Sequence, residues 1–257
     1  MSNLLIRWTF GETKARRLSP QSWQMLEYSL KFAAVLFPKA ERIVCINNLS
    51  EDVESIVSKM ARNNAVDLLD VTCLLPIGLR NSGQKNSWWK YAPPRLAIEK
   101  YEIVSDNDVV LWKVPPTLSR SIRENALVAL TDAAGQYYGD FQETFVQSNK
   151  NLRLNAGLIG MPPRFAADLE SVNGSKLTDF FHSEQGFTAV NFARYQGKKN
   201  MISLDEVAQL NVMEIDADDL ISKFCGGHFC GCSFGHYNFW KEKYFDAVKK
   251  RLSKFSS

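Results

Sequence analysis

Two aspartates, Asp106 and Asp108, directly follow the apolar run that begins at Tyr101, and one asparagine separates them. Side chains alternate across an extended backbone, so two residues spaced in this way project to the same side. Carboxylate oxygens are the ligands that Mg²⁺ and Mn²⁺ prefer, and diphosphate oxygens can complete the coordination shell. The pair therefore predicts a divalent-cation site, and a solvated acidic turn is the alternative.

A second group of metal-ligating residue types lies at residues 225–236, which contain three of the five cysteines and two of the three histidines. Structural zinc sites usually take their ligands from two short-spaced pairs separated by a loop, whereas these residues share one segment. Glycines at 226, 227, 231 and 235 would let backbone N–H groups converge on phosphate oxygens. We interpret the segment as a metal and phosphate loop, with small-residue packing and a zinc site as alternatives.

Two further segments carry polar residues beside small ones. Asn155 precedes Ala156 and Gly157, which predicts an amide group next to a backbone that a sugar can approach closely. Glu184 is followed by Gln185 and a glycine, just after a helix-like segment. The alternatives are an ordinary edge-strand turn for the first segment and a solvated surface acid for the second.

The elements that must position these residues alternate between strand-like and helix-like runs in the first part of the chain. We predict strands at residues 4–10, 42–48, 66–75 and 101–104, and helices at 20–37 and 50–63, with a short helical stretch at 93–100. This order predicts βαβ units with right-handed crossovers. The aspartate pair then lies at the carboxyl end of a strand, where open α/β sheets bind ligands.

The second part of the chain has a weaker pattern. We predict helices at residues 119–130, 164–171 and within 177–191, strands at 154–161 and 204–215, and a basic amphipathic helix at about 237–254. That last helix is typical either of a membrane-surface anchor or of a helix packed on the domain with a solvated basic face.

The motifs together resemble the A-fold (GT-A) glycosyltransferases that use nucleotide sugars. Asn155-Ala-Gly is similar to a strand of the glycogenin-like and lipopolysaccharide-galactosyltransferase family, and Glu184-Gln to its acidic-Gln segment. His228-Phe-Cys-Gly is similar to the family's His-x-x-Gly. The resemblance covers roughly residues 40–235. One departure is that the family continues with Lys-Pro-Trp, whereas this chain has Cys232-Ser-Phe-Gly-His.

The resemblance implies roles for individual residues. Asp106, Asp108 and His228 would bind Mn²⁺ or Mg²⁺, and Asp106 would also contact the donor. The implied catalytic residues are Glu184, Asn155 and Gln185, and the implied donor-binding residues are Thr9, Phe10, Lys90, Arg95, Gly157 and, in place of the missing lysine, His236. For Phe10 the alternative is core packing, and for Lys90 and Arg95 it is a cation–π contact with the Trp88–Trp89 pair.

Composition limits the class of protein without specifying the reaction. The chain has 257 residues, a net charge of +3, 45% hydrophobic residues and 23% charged residues, which favours one folded domain and disfavours a nucleic-acid-binding protein. Five cysteines and the absence of an apolar run of about eighteen residues or of a secretory leader predict a reduced, cytoplasmic protein.

We therefore expect a single GT-A-like α/β domain with a mostly parallel, twisted sheet flanked by helices. Residues 1–115 would form the nucleotide-binding half, residues 116–236 the acceptor and catalytic half, and residues 237–257 a C-terminal helix. The expected reaction transfers a sugar, with retention, from a nucleoside-diphosphate sugar such as a UDP-sugar to a glycan or lipid-linked acceptor. The alternatives are a sugar nucleotidyltransferase and a non-catalytic nucleotide-sugar-binding module.

Overall fold

The computed structural model describes residues 3–12, 18–74, 86–133, 137–148, 152–172, 177–231 and 240–255. In these ranges the chain forms ten strands and seven α-helices. The strands are β1 Leu4–Gly11, β2 Glu41–Asn47, β3 Asp67–Asp70, β4 Tyr101–Asp106, β5 Val109–Leu111, β6 Leu127–Thr131, β7 Leu154–Met161, β8 Lys199–Ile202, β9 Val207–Gln209 and β10 Gly226–His228. The helices are α1 Pro20–Leu36, α2 Glu51–Asn63, α3 Pro116–Glu124, α4 Gln142–Ser148, α5 Phe180–Arg194, α6 Ala217–Lys223 and α7 Trp240–Ser253.

A seven-stranded sheet in the order β3-β2-β1-β4-β7-β6-β8 forms the centre of the molecule. Its first four strands run parallel, and β7 is antiparallel to both β4 and β6. A smaller sheet, β5-β10-β9, begins where β4 ends. The expected mixed α/β fold with a mostly parallel sheet is confirmed, and the ends of β4 and β10 meet at the junction of the two sheets.

Alternation along the strands gives the large sheet two apolar faces. In β1, Trp8 and Phe10 lie in the core beneath α1 and α2, and in β4 Val104 lies in the other core, which α5 covers. Arg7 and Thr9 project from β1 on the opposite face from Phe10, because successive side chains in a strand point to opposite faces. That face carries the polar residues described below.

Several predicted elements differ from the structure. The predicted helix at 119–130 ends at Glu124, where Asn125 adopts a left-handed conformation with φ of 51°, and residues 127–131 form β6 instead. The predicted strand at 204–215 is only β9, followed by a turn. Residues 93–100 form no helix, and 164–171 contain only the start of a 3-10 helix at Leu169–Val172. The apolar spacing of residues 127–131 fits both a helix and a strand, and pairing with β7 and β8 decided between them.

The C-terminal helix α7 packs on the domain. Tyr244, Phe245, Val248 and Leu252 are buried against residues of α1 and against Leu220 of α6. The apolar face of α7 is therefore covered by protein, as in the second of the two predicted alternatives. Within the described ranges, none of the helices has both the length and the apolar character needed to cross a membrane.

Candidate functional site

Asp106, Asp108 and His228 converge at the junction of the two sheets. Asp106 is the last residue of β4, and Asp108 lies in the turn that leads into β5. β10 pairs with β5 so that His228 lies opposite Val109, and the Phe229 N–H donates to the Asp108 carbonyl at 2.8 Å. One ligand atom from each of the three lies within 4.8 Å of the other two, and His228 Nε2 is 3.5 Å from Asp108 Oδ1.

Gly157 makes room for the imidazole ring of His228. A Cβ atom at this position would lie 2.5 Å from His228 Cε1 and 3.0 Å from Asn155 Oδ1, so a side chain would displace one of them. The Gly157 N–H donates to Asn155 Oδ1 at 2.8 Å. The sequence predicted that Gly157 admits a sugar; in the structure it admits the histidine, and Asn155 fixes the backbone there.

Lys90 connects the metal-ligand cluster to α5. Its ammonium lies 3.0 Å from Asp106 Oδ1, 3.2 Å from Glu184 Oε1 and 2.9 Å from the carbonyl oxygen of Ala156. The side chains of Lys90 and Glu184 are only 3% and 6% exposed, so this ion pair is shielded from solvent. Lys90 is therefore part of the cluster, and the predicted alternative of a surface cation–π contact is wrong.

Burial governs the protonation of these groups. Burial raises the pKa of Glu184 to about 7, and the opposing attraction of Lys90 reduces that rise. Burial also raises the pKa of Asp106, with Lys90 again opposing it and Asp108 adding to it. Burial opposes the charged form of Lys90 too, but Asp106 and Glu184 outweigh it and raise the pKa of the ammonium. Lys90 is therefore charged, whereas each carboxylate is costly to ionise.

The cluster has an excess of negative charge. Asp106, Asp108 and Glu184 supply three carboxylates against the ammonium of Lys90, which leaves two negative charges when all three are ionised and the imidazole of His228 is neutral, as it is when it binds a metal. The Nδ1 atom of His228 is buried without a hydrogen-bond partner among the described residues. Both Mn²⁺ and Mg²⁺ bind carboxylate ligands, and an imidazole ligand favours Mn²⁺ over Mg²⁺. These residues therefore fit a divalent cation.

Comparison with known proteins identifies the fold. LgtC, a galactosyltransferase solved with donor and acceptor sugar analogs, superposes with a TM-score of 0.61 over 97% of this chain and 95% of its own, at 12% identity. GlyE of Streptococcus pneumoniae TIGR4, a glycosyltransferase, gives 0.57 over 98% and 64% at 11% identity. Mouse xyloside xylosyltransferase 1 gives 0.52 over 90% and 98% at 11% identity. The chain has the GT-A fold. No family model matches the sequence, and no curated protein matches it.

In this GT-A fold, two buried polar residues that the sequence analysis missed lie beside the predicted ones. Gln185 Nε2 donates to Asp132 Oδ2 at 2.9 Å, and Asp132 directly follows β6. Gln209, the last residue of β9, accepts from the Ala133 N–H at 2.7 Å. Asp132 follows an apolar strand just as Asp106 does, but the helix predicted at 119–130 concealed that pattern.

The structure does not bring every predicted residue to the cluster. Phe10 is buried on the other face of the sheet from Asp106. Thr9 pairs with Asp106 in the strand register, and its hydroxyl is buried without a hydrogen-bond partner among the described residues. His236 lies outside the described residues. Cys225 and Cys230 do not belong to the potential metal-binding group found among the described residues.

Arg95 lies at the opposite end of β4 and forms part of the support for Lys90. Arg95 and Arg7 each pair with Glu102 at 3.0 Å, and all three side chains are at most 4% exposed. Arg7 donates to the carbonyls of Lys90 at 2.6 Å and Pro93 at 2.7 Å. Trp88 and Trp89 are buried in the core that α5 covers. This framework fixes the backbone from which Lys90 projects, so Arg95 holds the fold and not the donor.

Proposed function

We propose that this chain is a metal-dependent glycosyltransferase that moves a sugar from a nucleoside-diphosphate sugar to a glycan or lipid-linked acceptor. The observation that carries the proposal is the convergence of Asp106, Asp108 and His228 in a cluster in which Asp108 and His228 are buried and carboxylates outnumber the ammonium of Lys90. The GT-A fold agrees with it, because the three solved proteins named above, which share this fold, are glycosyltransferases.

The three ligands would hold Mn²⁺ or Mg²⁺. When bound, such a cation neutralises charge on the diphosphate of the departing nucleotide. The protein's part is to keep two carboxylates and one imidazole at a fixed spacing, which the β4–β5 turn, the β5–β10 pairing and Gly157 accomplish. A fixed, water-poor set of charges stabilises a charge that develops in the transition state without having to reorganise.

Lys90 and Glu184 would orient the donor sugar. Glu184 accepts from Lys90, and its carboxylate can accept from sugar hydroxyls on the side that faces the cluster. Gln185, held by Asp132, and Asn155 would add amide groups on either side. Orientation of this kind contributes to the rate by holding the reacting atoms in line.

The other half of the donor would lie along the carboxyl ends of β1 and β4. Thr9 is the residue there whose hydroxyl lacks a partner, so we assign it to the nucleotide, with His236 as the cation for the phosphates. A UDP-sugar is the donor we test first. Residues 1–115 would thus bind the nucleotide and residues 116–236 the acceptor, with residues 237–257 as a packing helix.

The carboxylate of Glu184 supports a retaining outcome. An inverting enzyme needs a base that is open to the acceptor hydroxyl, whereas we assign Glu184 to the donor sugar, and its Oε1 atom already contacts Lys90 and Thr188. Proton NMR of the product decides between the two outcomes. An anomeric coupling constant that matches the donor's anomer supports retention, and the opposite anomer shows that the reaction inverts.

Replacement of Asp108 tests the function itself. A panel of nucleotide sugars with and without Mn²⁺ first identifies the donor by its effect on the melting temperature. Asp108→Asn should then reduce metal-dependent transfer at least about a hundredfold, because a ligand that carries charge is lost. Asp205→Asn, which changes an exposed carboxylate in the turn before β9, is the control and should keep full activity.

The same assays separate the rival functions. Release of pyrophosphate from a nucleoside triphosphate and a sugar phosphate would identify a nucleotidyltransferase, and donor binding without transfer or hydrolysis would identify a binding module.

A further inference from the structure

A second cavity lies at the far end of the large sheet from the metal-ligand cluster. It has a volume of about 490 Å³ and is formed by α4, the second half of α5 and the segment that follows β7. This volume is within the range of about 300–1,000 Å³ that is usual for small-molecule sites. Phe165, Tyr195, Arg164 and Arg194 are among its lining residues.

The cavity is separate from the cluster around Asp106. Along α5, Arg194 lies ten residues beyond Glu184, which corresponds to about 15 Å at the rise of an α-helix. β7 runs from Leu154, beside the cluster, to Met161, which pairs with Glu102 at the opposite end of β4. The donor that we propose for the first site therefore does not occupy this cavity.

Aromatic rings form much of the wall. The rings of Phe165 and Tyr195 meet edge to face with centroids 5.2 Å apart, and those of Phe141 and Phe187 do so at 5.9 Å. The wall is fixed by Asn191, whose side-chain oxygen accepts from the Asp168 N–H at 3.0 Å and whose nitrogen donates to the Phe187 carbonyl at 2.9 Å. Phe165 and Tyr195 are only partly buried, so their rings offer an apolar surface to a ligand.

Two guanidinium groups lie at the rim. Arg194 is exposed and forms neither an ion pair nor a side-chain hydrogen bond with the residues that the structure describes. Arg164 pairs only with Glu99 at 3.4 Å, and both side chains are largely exposed, at 82% and 68%. An ion pair this exposed contributes little to stability, so a ligand can replace it. Arg164 is a non-glycine residue with a φ of 64°, held by its N–H bond to the Ile98 carbonyl at 2.7 Å.

We propose that this cavity binds a saccharide that carries a carboxylate, such as a uronic acid unit of a glycan. A guanidinium group binds a carboxylate through two parallel hydrogen bonds, and Arg194 has its donors available for this. The aromatic wall matches the apolar face of a sugar ring. The carboxylate of Asp168 also lines the cavity and opposes a doubly charged phosphate more strongly than a singly charged carboxylate.

The test measures binding of digalacturonic acid to the full chain by isothermal titration calorimetry. Galactobiose, which lacks the carboxylates, is the matched neutral probe, and inorganic phosphate is the competing anion. We expect digalacturonic acid to bind at least about tenfold more tightly than galactobiose, and Arg194→Gln to weaken it about tenfold, because a charge-assisted hydrogen bond is lost. Arg123→Gln, on the exposed side of α3, should leave the binding unchanged.

Asp106→Asn separates this proposal from the proposed function. It should abolish metal-dependent transfer while leaving digalacturonic acid binding as in the wild type. The proposal is overturned if digalacturonic acid does not bind or binds no better than galactobiose. It is also overturned if Arg194→Gln binds as tightly as the wild type, if phosphate displaces the saccharide at equal concentration, or if Asp106→Asn removes the binding.

Discussion

Strand β4 has a carboxylate at each end, and the surroundings of the two differ: Glu102 is fully buried, whereas the side chain of Asp106 is 33% exposed. At the amino end, Glu102 pairs with Arg7 and Arg95 and also accepts from the backbone N–H groups of Leu96 and Ala97 at 3.0 and 3.2 Å. The guanidinium groups complete their bonding with backbone carbonyls. This end carries one net positive charge, but its three charged side chains are all paired with protein groups.

At the carboxyl end, Asp106 shares one lysine with Glu184 and lies beside Asp108. Three carboxylates and one ammonium are not a balanced set. Burial raises the pKa of both Asp106 and Glu184, and the neighbouring carboxylates add to the rise against the attraction of Lys90. Such an arrangement costs stability in the absence of a ligand. We infer from this difference that the charges at the amino end of β4 hold the fold and that the charges at its carboxyl end prepare a site for a cation.

The largest effect that we predict is at the amino end of β4. Glu102→Gln removes the only carboxylate between two buried guanidinium groups, and breaking such a pair costs about 3–5 kcal/mol. For a chain of this size we expect a fall in melting temperature of about 10 °C. Glu99→Gln, which changes a carboxylate that is 68% exposed, is the control and should differ little from the wild type. If Glu102→Gln and Glu99→Gln have the same melting temperature, Glu102 does not hold the fold.

The next effect concerns the ligand His228. Gly157→Ala places a methyl group against the imidazole, and loss of a residue that orients a ligand weakens metal binding by about 10–100-fold. Gly160→Ala is the matched control in the same strand, because its methyl group meets Val128 and Tyr101 instead. A Mn²⁺ titration should show weak binding only for Gly157→Ala, although both variants lose stability. Equal Mn²⁺ affinity in the two would mean that Gly157 does not position His228.

The smallest effect concerns the support of α5, which carries Glu184. Asp140 accepts from the Thr178 N–H at 3.0 Å, the Asp179 N–H at 3.1 Å and the Ser183 hydroxyl at 2.6 Å. Burial alone would raise the pKa of Asp140, but these hydrogen bonds outweigh it and lower that pKa to about 2. Because the folded state lowers the pKa of Asp140, its ionised carboxylate stabilises the fold above about pH 4. That contribution is lost as the pH falls towards 2.

Asp140→Asn should therefore lower the melting temperature by about 2 °C at pH 6, a small change because the carboxylate is exposed. The gap between variant and wild type should close as the pH falls from 4 to 2. A gap that stays constant over that range would show that the charge of Asp140 has no part in holding α5.

The sequence was sufficient to predict the parallel half of the sheet, because its strands depend on local patterns. Asp106 and Asp108 follow one continuous apolar strand, and Pro20 begins α1 as predicted. The contacts of Lys90 with Asp106 and Glu184, and of Asp132 with Gln185, join residues far apart in the chain, and no local period indicates them. The run at 119–130 fits both a helix and a strand, and only pairing with β7 and β8 shows that its end forms β6.

The contact between Gly157 and His228 also lies beyond sequence reasoning, since it joins residues of two different sheets. For Phe10, the sequence predicted the element correctly but not the face of the sheet on which the side chain lies. Its position at the end of β1 was predicted, but its face depends on the register with β4, which places Thr9 and not Phe10 beside Asp106.

Direct titration of Mn²⁺ into the full chain, with free Mn²⁺ followed by electron paramagnetic resonance, tests the unbalanced cluster most directly. The wild-type chain should bind one ion, and Asp108→Asn should bind it at least about a hundredfold more weakly, because a carboxylate ligand is lost. Without added metal, Asp108→Asn should melt at or above the wild-type temperature, since it relieves repulsion with Asp106. Equal Mn²⁺ affinity of the wild type and Asp108→Asn would contradict the proposal that this cluster binds the cation.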